Sequence, residues 1–220
     1  AIRSDCVDVL VILAGHAGAN PLSVAGFRPA PVQVSFHDVS TSGAAAVDAW
    51  VTDSVLHPPG TPELFVEKLV RLPCFYLHRP PDDAPSVVPR GEGPMLNRVD
   101  IALDPFPFNG STTSFEALWM GVPVVTLAGD RFVGRVGASL LTQLGLDDLV
   151  APDISAYVDR ASSLAADRGR LAMLRADLRG RLRASLLCDP GRYARSIEDA
   201  YRALWREWCS RRRAPLHWTG

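Results

Sequence analysis

Short apolar runs alternate with turn residues along the first third of the chain. Val7–Leu13, Val32–Phe36, Ala49–Thr52 and Lys68–Leu72 are rich in β-branched side chains and bounded by Gly, Pro, Asp or His. Apolar runs of this length are expected of strands covered on both faces, as in a parallel sheet. The stretch from His78 to Pro94, HRPPDDAPSVVPRGEGP, is dense in proline and glycine. Neither a helix nor a central strand tolerates that density, so the stretch is predicted to be a linker. Beyond it, Val99–Leu103 predicts a strand, Ser114–Met120 a helix stopped by Gly121, and Val122–Leu127 another strand. Together they form a βαβ unit with a right-handed crossover.

From Arg131 the hydrophobic period changes to that of a helix, with Val136, Leu140, Leu141 and Leu144 on one face and Gly145 as the stop. Three more helices are predicted near 154–166, 168–185 and 190–210. The last carries Tyr193, Ile197, Tyr201, Leu204, Trp205 and Trp208 at three- and four-residue spacings. Such a stripe is a packing face, with ligand contact as the alternative. Arg211–Arg213 reads as a solvated end. No period of solenoid length repeats.

Charge narrows the classes of function. Lys and Arg together number 23 against 24 Asp and Glu, a net charge of −1. No global field therefore draws nucleic acid or an anionic membrane, while a phosphate-bearing small ligand is compatible with that balance. Lys68 is the single lysine. Cys6, Cys74, Cys188 and Cys209 are scattered without a Cys-x-x-Cys pair, which argues against structural zinc and a disulfide framework. No Asp-x-Asp is present; Asp82-Asp83 and Asp147-Asp148 are adjacent pairs. Metal-dependent sugar-nucleotide chemistry is not expected from that pattern. No run reaches the ~18 apolar residues of a membrane span, and Ala1–Leu13 lacks the order of a signal peptide, so the expected location is cytoplasmic.

Chemical content concentrates in Ile101–Leu127, IALDPFPFNGSTTSFEALWMGVPVVTL. Here a strand ends in a Pro-Phe-Pro turn and a hydroxyl-rich loop opens a helix. In open α/β sheets, strand carboxyl ends and helix N-termini converge at such points, and unpaired amides with the helix dipole favour an anion. Gly110 permits close backbone approach, and Ser111, Thr112 and Thr113 add hydroxyl donors. Thr113 and Glu116 also have the spacing of a capping box, so two readings stand: a phosphate site or a plain cap. Glu116 is correspondingly a cap or an acceptor for ribose hydroxyls. His16, in the string AGHAG after a predicted strand, is a site residue or a loop-ordering histidine. His57 and His78 flank proline-containing segments and read as surface or turn residues, His37 is not favoured as a base, and Arg135 faces a diphosphate or the solvent.

The string DIALDPFPFNGSTTSFEALWMGVPVVTLAGDRFVGRVGASLLTQLGL resembles the C-terminal signature of the O-linked N-acetylglucosamine transferase and SPINDLY-like family. The likeness continues through Asp153–Tyr157 and LLCDPGRYARSIEDAYRALW. Upstream it takes in VDVLVILAGHAGANPLSVAGFRPAPVQVSFHDVSTSG and AWVTDSVLHPPG with EKLVRLP. It implies an incomplete glycosyltransferase-B type α/β fold, with Rossmann-like parallel sheets and a helical C-terminus. Residues 1–77 would be the remnant of the N-terminal lobe, 78–97 the linker, and 98–213 the nucleotide-binding lobe remnant with its terminal helices. The implied reaction is metal-independent transfer of a sugar, N-acetylglucosamine above all, from a UDP-sugar (GDP-sugar for SPINDLY-like members) to protein Ser or Thr hydroxyls. No cofactor is implied beyond the donor itself, and the implied partners are that donor and an acceptor protein.

By that resemblance Asn109, Gly110, Ser111, Thr112 and Thr113 surround the donor diphosphate, Glu116 binds ribose, and His16 is the catalytic candidate. Relatives often have His where Ser111 stands and Asp where Glu116 stands. SFHDVSTSG stands where they usually have an aliphatic-Gly-Tyr-Pro-Gly turn, which predicts a remodelled loop. The family's Asp-Phe-x-x-His motif and its diphosphate-binding lysine have no match here. Turnover by this chain alone is therefore expected to be weak, and an inactive nucleotide- or partner-binding remnant is the alternative. Open sheet edges make pairing with another chain a further expectation.

Overall fold

The computed structural model describes residues 2–13, 16, 22–88 and 95–213. Part of the predicted linker, residues 89–94, and the neighbours of His16 at 14–15 and 17–21 lie outside them. The chain divides into two compact units, one of Ala1–Asp53, Leu64–Phe75 and Ala194–Gly220, the other of Ser54–Glu63 and Tyr76–Tyr193. Both are α/β with wholly parallel sheets, as the sequence implies.

The first unit holds four strands in sequential order: β1 (Val9–Leu13), β2 (Val32–Phe36), β3 (Ala49–Asp53) and β4 (Lys68–Leu72). Every residue of β2 and β3 is buried, which is why their sequences show no alternation. Two of their polar side chains are tied to the neighbouring backbone. Gln33 Nε2 donates to the carbonyls of Ala25 and Ala46 at 2.9 and 2.7 Å, and Asp53 accepts from Phe75 N. Helix α1 (Leu22–Ala25) places Ala25 against Ile12 and Val47. The β2–β3 connection is irregular and is pinned by buried Glu67, which accepts from Thr41 Oγ1, Ser42 N and Ser42 Oγ.

In the second unit β5 (Ala102–Leu103), α2 (Thr112–Trp119), β6 (Val124–Leu127), α3 (Val136–Gln143) and β7 (Val150–Ala151) follow one another, giving the sheet order β5-β6-β7. The predicted βαβ unit is therefore present and extended by one strand. Three boundaries differ from expectation. β5 is two residues long, preceded by a 3₁₀ turn at Met95–Arg98. A second 3₁₀ turn, Phe132–Gly134, stands before α3. β7 is too short to leave a hydrophobic run in the sequence.

Helices α4 (Ile154–Ala166), α5 (Arg168–Ala184) and α6 (Pro190–Arg213) complete the chain. Asp153, Asp167 and Asp189 accept from the backbone N–H of Ala156, Arg170 and Arg192, one at each helix start. α5 carries six arginines and an aspartate among its 17 residues, yet Leu174, Leu178 and Leu182, spaced four apart, are buried. The aromatic stripe of α6 behaves as a packing face: Leu204 is buried, Trp205 and Trp208 stack at 5.0 Å, and Arg212 lies over the Trp208 ring. Within the same unit Lys68 pairs with Glu207 at 2.6 Å. No helix among the described residues is long and apolar enough to cross a membrane.

Both predicted glycine stops are left-handed, Gly121 at φ +73° and Gly145 at φ +66°, but their surroundings differ. A Cβ on Gly121 would stand 2.5 Å from the Arg175 carbonyl oxygen, whereas one on Gly145 would meet nothing within 4 Å. Gly145→Ala is therefore expected to cost about 1 kcal/mol, the left-handed penalty alone, and Gly121→Ala about 3 kcal/mol. Urea unfolding of the two variants measures the difference, and equal costs would contradict the packing described.

Candidate functional site

The hydroxyl-rich loop is built on a buried carboxylate. Asp104 continues β5, its N–H donating to the Val125 carbonyl, and it is only 3% exposed. Its Oδ1 accepts from Gly110 N at 2.8 Å and lies 3.5 Å from Ser114 Oγ; its Oδ2 accepts from Thr126 Oγ1 at 2.6 Å. Tyr157 donates its hydroxyl to the Asp104 carbonyl oxygen at 2.9 Å. Thus one residue ties the loop, the first turn of α2, strand β6 and helix α4 together. Burial raises its pKa above the ordinary carboxylate value, and the hydrogen bonds from Thr126, Gly110 and Ser114 oppose that shift.

Two glycines make this packing possible. A Cβ on Gly110 would fall 2.6 Å from Ser114 Oγ and 2.7 Å from Thr113 Oγ1, and one on Gly137 would fall 2.2 Å from Asp104 Oδ2. Asn109 is buried and its side chain is engaged at both ends. Nδ2 donates to the Pro105 carbonyl at 2.9 Å, and Oδ1 accepts from Gly137 N at 3.3 Å. Gly110 and Asn109 therefore shape the loop from within. The groups left on the surface are Ser111, half-buried, and Thr112, Thr113 and Glu116, exposed on one helical face.

The capping-box reading does not describe this helix start. Ser111 occupies the N-cap position, its side chain makes no capping hydrogen bond, and Thr113 already lies inside α2. The first-turn amides thus face outward beside three hydroxyls, at the positive end of the helix dipole. That arrangement can hold an anion such as a phosphate group. Glu116, one turn on, also borders a cavity of about 380 Å³ lined by His78, Met95, Trp119 and Met120.

Other sequence candidates are placed differently. Arg135 faces neither solvent alone nor the loop: its Nε donates to the Val55 carbonyl at 2.6 Å and a terminal nitrogen to that of Gly129 at 2.9 Å. His57 is fully buried rather than on the surface, stacked on Phe132, with Nε2 2.9 Å from Glu63 Oε2. His78 is half-buried and lies flat on Phe115 at 4.5 Å, and burial lowers its pKa. His37 packs against Phe36 and Phe75, and burial lowers its pKa too. His16 is in the first unit with its Nδ1 2.9 Å from Asp38 Oδ2. Sequence reasoning missed Asp38 and Asp104. The signal for Asp104 was a carboxylate at the end of an apolar run immediately before proline; Asp38 left none. Among the described residues no cluster of three or more His, Cys, Asp or Glu forms a metal site.

Comparison with known proteins adds the following. A model of glycosyl transferase family 41 matches residues 88–197, half of this chain. The chain is 33% identical to the rice (Oryza sativa subsp. japonica) SPINDLY protein, described as a probable UDP-N-acetylglucosamine–peptide N-acetylglucosaminyltransferase, with 94% of this chain and 31% of that protein covered. It is 35% identical over 110 residues to a UDP-N-acetylglucosamine–peptide N-acetylglucosaminyltransferase of Caenorhabditis elegans, covering 50% of this chain and 10% of that one. A solved O-GlcNAc transferase mutant from Thermobaculum terrenum superposes with a TM-score of 0.88 at 35% identity, over 95% of this chain and 55% of that chain. The chain spans about a third of the length of the SPINDLY relatives it matches. The match to the rice protein extends over 289 residues while using 94% of a 220-residue chain, so this chain lacks about 80 positions within the matched stretch.

Asp104→Ala is expected to destabilise the protein by about 2–3 kcal/mol, since Gly110 N–H and the Thr126 hydroxyl lose a buried acceptor, and Asp104→Asn by less than half of that. Because its pKa is raised on folding, the native state holds a proton over a window above the ordinary carboxylate range where the unfolded chain does not. The cost of the buried charge is thus present at neutral pH and relieved as pH falls through the folded-state value. Urea unfolding from neutral pH down through the carboxylate range should show the wild type gaining stability relative to Asp104→Asn as pH falls; a constant difference throughout would contradict the assigned shift.

Proposed function

The chain belongs to glycosyl transferase family 41, and we propose that it is a sugar-transfer region whose donor is a UDP-sugar, UDP-N-acetylglucosamine above all, and whose acceptor is a protein Ser or Thr hydroxyl. The observation that carries this reading is the loop Asn109–Thr113, seated on Asp104 and opening an α2 whose Ser111 side chain does not cap it. In this reading the first-turn amides with Ser111, Thr112 and Thr113 hold the diphosphate, Glu116 accepts from ribose hydroxyls, and Asn109 and Gly110 set the loop. His16 takes the proton of the attacking hydroxyl. Donors fixed before reaction would stabilise charge on the departing UDP without reorganisation, the largest electrostatic contribution available to such a reaction.

A second reading, a nucleotide-binding module without turnover, is favoured by specific observations. Lys68 is paired with Glu207 and Arg135 is engaged by two carbonyls, so neither is a free cation for a diphosphate. The chain also lacks about 80 positions within its match to the rice relative. In either reading β5, paired on one side only among the described residues, offers an edge to another chain.

Calorimetric titration with UDP and with GDP tests the shared step. UDP is expected to bind, and Thr112→Ala and Thr113→Ala should each weaken it by about 3- to 10-fold, the worth of one neutral hydrogen bond. Absence of both UDP and GDP binding in a folded sample would overturn both readings. UDP binding without transfer from UDP-N-acetylglucosamine to a Ser/Thr peptide would select the second.

A further inference from the structure

His16 and Asp38 form a pair whose geometry exceeds what ordering a loop requires. Both belong to the first unit. Asp38 follows β2 and its side chain is 2% exposed, while that of His16 is 40% exposed. Oδ2 of Asp38 lies 2.9 Å from His16 Nδ1. Oδ1 accepts from Val39 N at 2.8 Å and, more weakly, from His16 N at 3.4 Å. One buried carboxylate thus grips the backbone of residue 16 with one oxygen and its ring with the other. Holding the loop needs only the backbone contact; the ring contact does something more. A carboxylate oxygen can only accept, so Nδ1 must carry the hydrogen, and the unprotonated nitrogen of the neutral ring is Nε2. The ring is then held in one tautomer and one orientation, on a side chain that solvent reaches. His37, His57 and His78 are each packed against an aromatic ring.

We infer that Asp38 is a positioning residue: it fixes His16 as the Nδ1–H tautomer so that Nε2 accepts a proton from an attacking hydroxyl. The inference deepens the transferase reading above and rests on it for the identity of the reaction. In that reaction the acceptor O–H bond breaks as its oxygen bonds to the anomeric carbon. The proton passes to His16 Nε2, and the bond from the anomeric carbon to the phosphate oxygen breaks with its electron pair leaving on UDP. The imidazolium formed is stabilised by the Asp38 carboxylate and returns its proton to water. This division of labour, base and orienting carboxylate, is a general solution for raising the effectiveness of an imidazole.

The test has two arms that fail separately. Two-bond ¹H–¹⁵N correlation of the labelled full chain, with His16 assigned by comparison with His16→Gln, should show Nδ1 protonated and Nε2 bare at a pH where the ring is neutral. In Asp38→Asn, whose amide oxygen still serves the Val39 and His16 amides, that preference should be lost while the rest of the spectrum is kept. His16 protonated on Nε2 in the wild type overturns the inference outright, whatever the variant does. The second arm measures transfer from UDP-N-acetylglucosamine to a Ser/Thr peptide. Asp38→Asn should lower kcat by about two orders of magnitude and leave KM for the donor within about 2-fold. Equal kcat in wild type and variant overturns the positioning role. Absence of transfer in the wild type with His16 held as Nδ1–H overturns the reaction assigned to the pair, so failure of the transferase reading is seen apart from failure of the geometry.

Discussion

A carboxylate with little access to water is the constraint on which the loop Asn109–Thr113 depends. Removing Asp104 from solvent is unfavourable unless its oxygens are used, and they are used by Gly110, Ser114 and Thr126, which belong to three successive pieces of the βαβ unit. The same contacts force other choices. Gly137 must lack a side chain because Asp104 Oδ2 and Thr126 occupy that space, and Gly110 must lack one because the hydroxyls of the first helical turn lean on it. Asn109 then bridges the turn at Pro105 to the start of α3. The loop is thereby a rigid platform, as a preorganised anion site requires.

Rigidity beneath the loop leaves its outer surface chemically open. The starts of α4, α5 and α6 are closed by their own aspartates, at Asp153, Asp167 and Asp189, whereas α3, entered from Arg135, has no side-chain cap. α2 likewise lacks one, for its N-cap Ser111 leaves the first turn without a side-chain cap. The nearby carboxylate of Asp104 accepts from Gly110 N beneath the loop. In physical terms the protein uses its acidic group to build the floor, and the positive end of the helix carries no side-chain cap.

The histidines differ in what surrounds them. His57 and His78 lie flat on Phe132 and Phe115, and His37 is lodged between Phe36 and Phe75. Desolvation by the packed rings disfavours the charged forms of His37 and His78. His16 has the opposite setting, an accessible ring on a buried carboxylate. Sequence position did not separate these cases, since each histidine stands near Gly, Pro or Asp in a turn-like string.

Local pattern was enough to determine the parallel α/β class, most strand and helix positions, and the loop-to-helix segment where an anion could bind. Those features follow from hydrophobic period, glycine stops and hydroxyl content, all of which are written in neighbouring residues. β7 escaped because two residues carry no period, and the start of α3 shifted because a 3₁₀ turn imitates a helical one. Contacts between residues far apart in the chain were decided only by the tertiary structure: Asp104 with Thr126 and Gly137, Arg135 with Val55, and Asp38 with His16 across 22 residues. Burial and partner choice turn an aspartate into a floor, a clamp or a cap, and no short window of sequence encodes which neighbours the fold will bring to it.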